Sequence, residues 1–306
     1  MKVFSRRIIN LAVSIFYFFG FVFGIFNINA MSWPSLNTVL VRNFGANDNG
    51  KPVLGMVFYG ETEVIAAESG EVIFSRGGNN SQLCFAASRL PSPLGAWTAI
   101  DHGDGLISIY SRYAYEPDHL IVNYTHVEKE QPIASSGISG WSNQEGFYFN
   151  IFDRQERCWI NPAMIITPMQ ETSPPRIISV ELRDSQGLTT GSRNLTQGRY
   201  TVVVNAAGGT YRTTGNIAVG QFAPHRIVCS INGVEVGSLN FEAVFARNGI
   251  LLVSRNGLVP ARQVYANYPA FEVSEVFLTR GQVNLEIIVQ DITGSSRSII
   301  NRFVVN

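Results

Sequence analysis

The chain has 306 residues, with 23 basic and 23 acidic side chains and a formal net charge of zero at pH 7. That balance leaves no basic field for phosphate, which argues against a nucleic-acid partner. The length allows two domains of ordinary size, each able to bury its own core, and the low charged fraction of 15% fits a strand-rich protein with an apolar N-terminus.

Lys2, Arg6 and Arg7 form a basic head, Ile8 to Phe26 is almost wholly apolar, and the segment closes on the small residue Ala30. Basic head, apolar run and small residue are the layout of a secretory signal. The run also approaches the ~20 residues that span a bilayer. Residues 1–30 therefore read as a signal peptide or an uncleaved N-terminal membrane anchor. On either reading Met31 onward crosses a membrane, and the membrane is engaged only through the N-terminal segment.

Beyond residue 31 helical periodicity is nearly absent. Apolar residues alternate or come in short runs, broken by Gly, Asn, Asp and Pro, which predicts an all-β protein. The stretch Thr167 to Pro175, rich in proline and polar residues, reads as a boundary. The division is then 31–167, a linker at 168–175, and 176–306. The three cysteines, Cys84, Cys158 and Cys229, lie in apolar contexts and read as buried thiols, with a Cys84–Cys158 bridge as the alternative.

Within 176–306, "RIISVEL", "GRYTVVVNA", "RIVCSING", "VNLEIIVQ" and "IINRFVV" read as strands. Asn232-Gly233 signals a hairpin, and Val283, Leu285, Ile287 and Val289 fall on one face. Short strands at this spacing predict an immunoglobulin-like β-sandwich. His225, next to Pro224 at a strand start, reads as a solvated turn residue.

The first half is more specific. "NFG" is followed by "GKPVLGMVFYGETEVIAAESGEVIF", "WTAIDHGDGLISIYSRY", "VEKEQPIASSG" and "GFYFNIFD". In this order the stretch from Asn43 to about Asn161 resembles the LytM/lysostaphin-type zinc endopeptidases, which cleave peptide cross-links of peptidoglycan. The resemblance implies a duplicated-hybrid-motif β-sheet domain with an open groove. Gly70, Asp101, His102, Gly103 and Gly105 match its hairpin positions, and His102 is expected to bond across its own turn.

The same resemblance implies a zinc site, but the residues needed for it differ here. Its two N-terminal ligand positions fall on Val53 and Val57, and its third on Tyr148. Its two catalytic histidine positions fall on Arg112 and Gly146. Valine has no lone pair to give a metal, and arginine stays protonated and cannot act as a base. No catalytic residue and no metal ligand is therefore assigned, and no cofactor is expected. His102, His119 and His126 are the alternative set for a different metal.

The leading expectation is a metal-free, non-catalytic protein of the periplasm or cell envelope, a pseudo-peptidase. It would bind or regulate peptidoglycan or an envelope hydrolase through a groove lined by Arg112, Tyr148 and Tyr110. An active zinc peptidase with unorthodox ligands, and a structural envelope protein acting through its sandwich, are the alternatives.

Overall fold

A computed structural model describes residues 30–35, 38–77, 92–114, 125–166, 170–187, 194–212 and 222–306. The readings of residues 1–29, Cys84 and His119 lie outside them. Met31–Asn306 forms one unit. The described residues are nearly all β, with one 3₁₀ turn at Pro162–Met164 and one helical turn at Ala261–Val264. No helix among them is long and apolar enough to cross a membrane.

The main strands of the first half are β1 (Val39–Arg42), β2 (Met56–Tyr59), β3 (Gly70–Arg76), β4 (Ala96–Asp101), β5 (Leu106–Tyr113), β6 (Gly146–Asp153) and β7 (Cys158–Ile160). Those of the second half are β8 (Arg176–Arg183), β9 (Gly198–Ala207), β10 (Arg226–Ile231), β11 (Val234–Arg247), β12 (Ile250–Arg255), β13 (Phe271–Leu278), β14 (Gly281–Gln290) and β15 (Ser296–Val305).

One sheet crosses both halves in the order β15-β14-β10-β11-β7-β6-β5-β4-β3, with β2 and β1 branching from β6 and β12 from β11. A second sheet, β8-β9-β13, belongs to the second half alone.

Period-two alternation decides which side chains enter each core. In β6, Phe147, Phe149 and Ile151 point into the first core beside Met56, Phe58, Ile100 and Tyr110. Phe58 and Phe147 stack there at 4.8 Å between ring centroids. In β14, Val283, Leu285, Ile287 and Val289 are buried as their spacing predicts, facing Val202, Val204 and Val273 of the second sheet across the second core. The Asn232-Gly233 hairpin forms with both residues at positive φ, 51° and 83°.

The two halves are knitted together. Phe44, from the first half, is fully buried in the second core, while Phe222, from the second half, is buried in the first. The Asn43 side chain donates to the Ala223 carbonyl at 2.9 Å and accepts from the Ala223 N–H at 2.7 Å. Tyr265 Oη donates to the Gly45 carbonyl at 2.8 Å. Gly45 sits at φ 78°, where a Cβ would come within 2.5 Å of the Phe241 ring, so the Phe-Gly pair needs its glycine. β7 then pairs with β11 through Cys158↔Phe245, Trp159↔Val244 and Ile160↔Ala243.

Two readings are corrected here. The stretch read as a linker contains a strand, Gln170–Ser173, paired antiparallel with Thr210–Arg212. Pro174 and Pro175 follow that strand and end it, because neither has an N–H to give to the ladder. His225 is half-buried, not a solvated turn residue. Its N–H donates to the Gln290 carbonyl, its carbonyl accepts from the Phe241 N–H, its ring Nε2 lies 3.7 Å from Glu242 Oε1, and it lines a small recess with Asn161 and Ile292. Cys158 and Cys229 are buried free thiols, and burial pushes their pKa values up to about 11 and about 12.

Candidate functional site

Of the positions that the sequence singled out, Val53, Val57, Arg112 and Tyr148 gather on the face of the first sheet opposite its core. β6 pairs with β2 so that Tyr148 lies beside Val57, and with β5 so that Tyr148 lies beside Ser111. Side chains of directly paired residues share a face. Val53, Val57 and Ala46 form a small buried apolar cluster, with Val41, Tyr59 and Tyr148 packed against it. The three positions that would carry ligands are thus close together, as a metal site requires, but they are joined by apolar packing.

Tyr148 Oη accepts the Leu54 N–H at 2.9 Å. Burial pushes its pKa up to about 12, against the opposing pull of that N–H and of the nearby Arg112 charge. A phenol held neutral with its oxygen engaged is a poor metal donor, and the two valines have no donor atom. The donor set therefore does not fit zinc. Among the described residues no group of three or more His, Cys, Asp or Glu stands close enough to hold a metal.

Arg112 occupies a bulge. The β4–β5 register slips between Ala96/Tyr113 and Trp97/Ser111, leaving Arg112 opposite no partner and at φ 66°. Its N–H donates to the Leu94 carbonyl at 2.8 Å. The slip turns its guanidinium over the Tyr148 ring, 5.2 Å from the centroid. This is a cation–π contact of a kind worth ~0.5–1 kcal/mol where solvent reaches it. Arg112 Nε and Asn150 Oδ1 are buried on this side with no hydrogen-bond partner among the described residues. Sequence reasoning missed Asn150, although it follows Tyr148 by two residues in the same strand and therefore shares its face.

Gly146 is fixed by close approach of backbone. A Cβ there would lie 2.0 Å from the Phe58 carbonyl oxygen. Tyr110 does not line the groove as expected. It is 0% exposed, points into the first core, and its hydroxyl accepts the Ala67 N–H at 2.7 Å.

The hairpin residues behave as scaffold. Gly103 and Gly105 take φ 86° and 83°, and Asp101 Oδ1 accepts the Gly103 N–H at 2.9 Å. Gly70 has no room for a side chain, because a Cβ would fall 2.4 Å from the Asp101 carbonyl oxygen. His102 clasps two segments. Its Nδ1 lies 2.8 Å from the Ser69 carbonyl and its Nε2 2.8 Å from Ser108 Oγ. A carbonyl only accepts, so Nδ1 carries the proton and Nε2 accepts from the serine in the neutral ring. His126 is far more exposed and sits beside Glu128 at 3.5 Å.

Burial holds the pKa values of His102 and His225 below the ordinary 6.5. As pH falls, the unfolded chain takes up these protons first. Stability is therefore expected to be constant above about pH 6.5 and to fall as pH drops through the folded-state values. Thermal melts across pH 5 to 8 check this, and a flat midpoint would contradict it.

Comparison with known proteins adds three findings. A family model that carries no descriptive name matches residues 174–306. No curated protein matches the chain. Among solved structures, the catalytic domain of the M23 protein EnpA from Enterococcus faecalis matches at 16% identity and TM-score 0.33, covering 43% of this chain and 94% of that one. The chain is similar to LytM/M23-type structures. The solution structure of lysostaphin matches at 14% identity and TM-score 0.34, over 82% of this chain and 99% of that one. SpoIIQ in the SpoIIQ–SpoIIIAH pore-forming complex matches at 19% identity and TM-score 0.35, over 46% and 92%.

Proposed function

We propose that this chain is a non-catalytic LytM-like protein of the cell envelope that binds peptidoglycan, or a hydrolase acting on it, through the face carrying Arg112 and Tyr148. In this reading residues 31–167 are the degenerate peptidase part and residues 176–306 an immunoglobulin-like sandwich, exported by way of residues 1–30. One observation carries it. The three ligand positions implied by the resemblance hold Val53, Val57 and Tyr148, packed as an apolar cluster with the phenol oxygen bonded to backbone.

The chemistry of the face suits a carboxylate-bearing ligand. Arg112 presents a permanent charge that pairs with a carboxylate. The free carboxylates of a peptide stem supply that partner.

Cosedimentation of the full chain with purified peptidoglycan sacculi tests this. The expected result is binding without release of soluble fragments, weakened about tenfold or more by Arg112→Ala, in line with loss of a charge-assisted hydrogen bond. Release of fragments, or binding indifferent to Arg112→Ala, would overturn it.

A further inference from the structure

The strand β15 lies next to the end of the long sheet, where the short strand Asn194–Leu195 covers only its last two residues, and among the described residues the rest of its outer edge is unpaired. It pairs with β14 over ten residues, from Ser296↔Gln290 to Val305↔Gly281, with no register shift. On the other side only Val304 and Val305 are paired, with Asn194 and Leu195. Among the described residues nothing pairs with the other edge of Ser296–Phe303. An open edge presents a row of backbone donors and acceptors that only another extended chain satisfies in full.

Sheet edges are commonly blunted by proline, bulges or short length. β15 has no proline and no bulge over its ten residues, and the charges at its edge are Arg297 and Arg302, whereas β8, at the edge of the second sheet, carries a bulge between Ile177 and Ser179. Its side chains are also unusually apolar for an edge. Ile299 is 41% exposed although its partner Ile287 is wholly buried, so the inner apolar row runs out to the edge and stops uncovered. Ile300, on the opposite face, is 53% exposed and lines a shallow recess with Asn301, Arg302 and Phe303.

Charge selects among occupants. The strand reads Ser-Arg-Ser-Ile-Ile-Asn-Arg-Phe-Val-Val, with two arginines and no carboxylate. Pairing β15 with a second copy of itself would bring two arginines from each chain to one seam, with no carboxylate on either edge strand. A strand bearing carboxylates would pair with Arg297 and Arg302 while its aliphatic residues cover Ile299 and Ile300.

We propose that the free edge of β15, Ser296–Phe303, is a docking site for an extended, aliphatic and acidic segment of a partner protein, added to the sheet as a further strand. The site lies in the second half and does not depend on the Arg112 face.

The test is amide hydrogen exchange of the full chain with a ten-residue peptide of alternating valine and glutamate. The peptide is expected to slow exchange within Ser296–Phe303, and the same peptide N-methylated at alternate residues is not. Arg297→Glu combined with Arg302→Glu, both surface changes that leave the core intact, is expected to weaken binding about tenfold and to favour a valine–lysine peptide instead. Three results would overturn the proposal. These are no slowing by the valine–glutamate peptide, equal slowing by the lysine peptide with the native chain, and slow exchange, without any peptide, of the outward-facing amides that are not bonded to β14. The last, if concentration-dependent, assigns the edge to a second copy; if not, the edge is covered by the chain itself.

Discussion

Replacing Phe44 with alanine is expected to lower the unfolding free energy by about 3–5 kcal/mol, the usual cost of emptying a fully buried aromatic site. The midpoint of thermal unfolding should fall by roughly 10 °C for a unit of this size. The size of the effect comes from where the ring lies. Phe44 belongs to the first half by sequence but is 0% exposed in the core of the second, beside Gly45, whose carbonyl accepts from Tyr265. Its loss opens a cavity in the second core and loosens the loop that leads to Val53.

Phe222 makes the reciprocal insertion, and β7–β11 pairing carries the sheet across. Both halves are therefore expected to melt in one transition, shifted as a whole by Phe44→Ala. Two resolved transitions in the native protein, with only the second moved by the substitution, would contradict this. Removing residues 176–306 is expected to destabilise the remainder, because Phe44 would then face water.

Gly146→Ala is expected to cost about 2 kcal/mol or more, and Gly146→His to prevent β6 from docking on β2. The new Cβ would meet the Phe58 carbonyl oxygen at 2.0 Å, with Phe58 C and Tyr59 Cα at 3.0 Å. These are backbone atoms of a paired strand, so relief requires moving β2 and, with it, Phe58 and its stack on Phe147. Overpacking of this kind is costly because interiors have no slack. A histidine at this position is thus opposed by the strand geometry itself. Denaturant unfolding of Gly146→Ala measures the effect, and a loss below ~0.5 kcal/mol would show that β2 yields easily.

Much of the fold was legible because alternation reports directly on which residues share a face. The buried row Val283, Leu285, Ile287, Val289 and the Asn232-Gly233 turn follow from residue type and spacing alone. What alternation does not report is what covers a face. Both faces of "LISIYSRY" carry apolar residues, so nothing local said that Tyr110 points into the core while Ser111 lies on the site face. The bulge at Arg112 was equally hidden, since it depends on a register slip against β4 that no residue in β5 encodes. His225 and Phe44 were misplaced or missed for a related reason. Their burial is made by residues tens to hundreds of positions away. His102 was expected to bond across its own turn; its ring instead reaches the Ser69 carbonyl of the neighbouring hairpin as well as Ser108, contacts that no local pattern encodes.

The candidate site was legible as a set of positions and not as an arrangement. The resemblance supplied Val53, Val57, Arg112, Gly146 and Tyr148. That the first two and the last close into one apolar cluster, and that Arg112 lies over the Tyr148 ring, depends on the pairing of β2, β5 and β6.

Metal content of the full chain after zinc loading and exhaustive dialysis is the most direct measurement. Two valines without lone pairs and a neutral, hydrogen-bonded phenol predict no stoichiometric zinc, and the same value for Val57→Ala as for the native protein. One tightly held zinc per chain would contradict the account, and with it the assignment of Val53, Val57 and Tyr148 to the ligand positions.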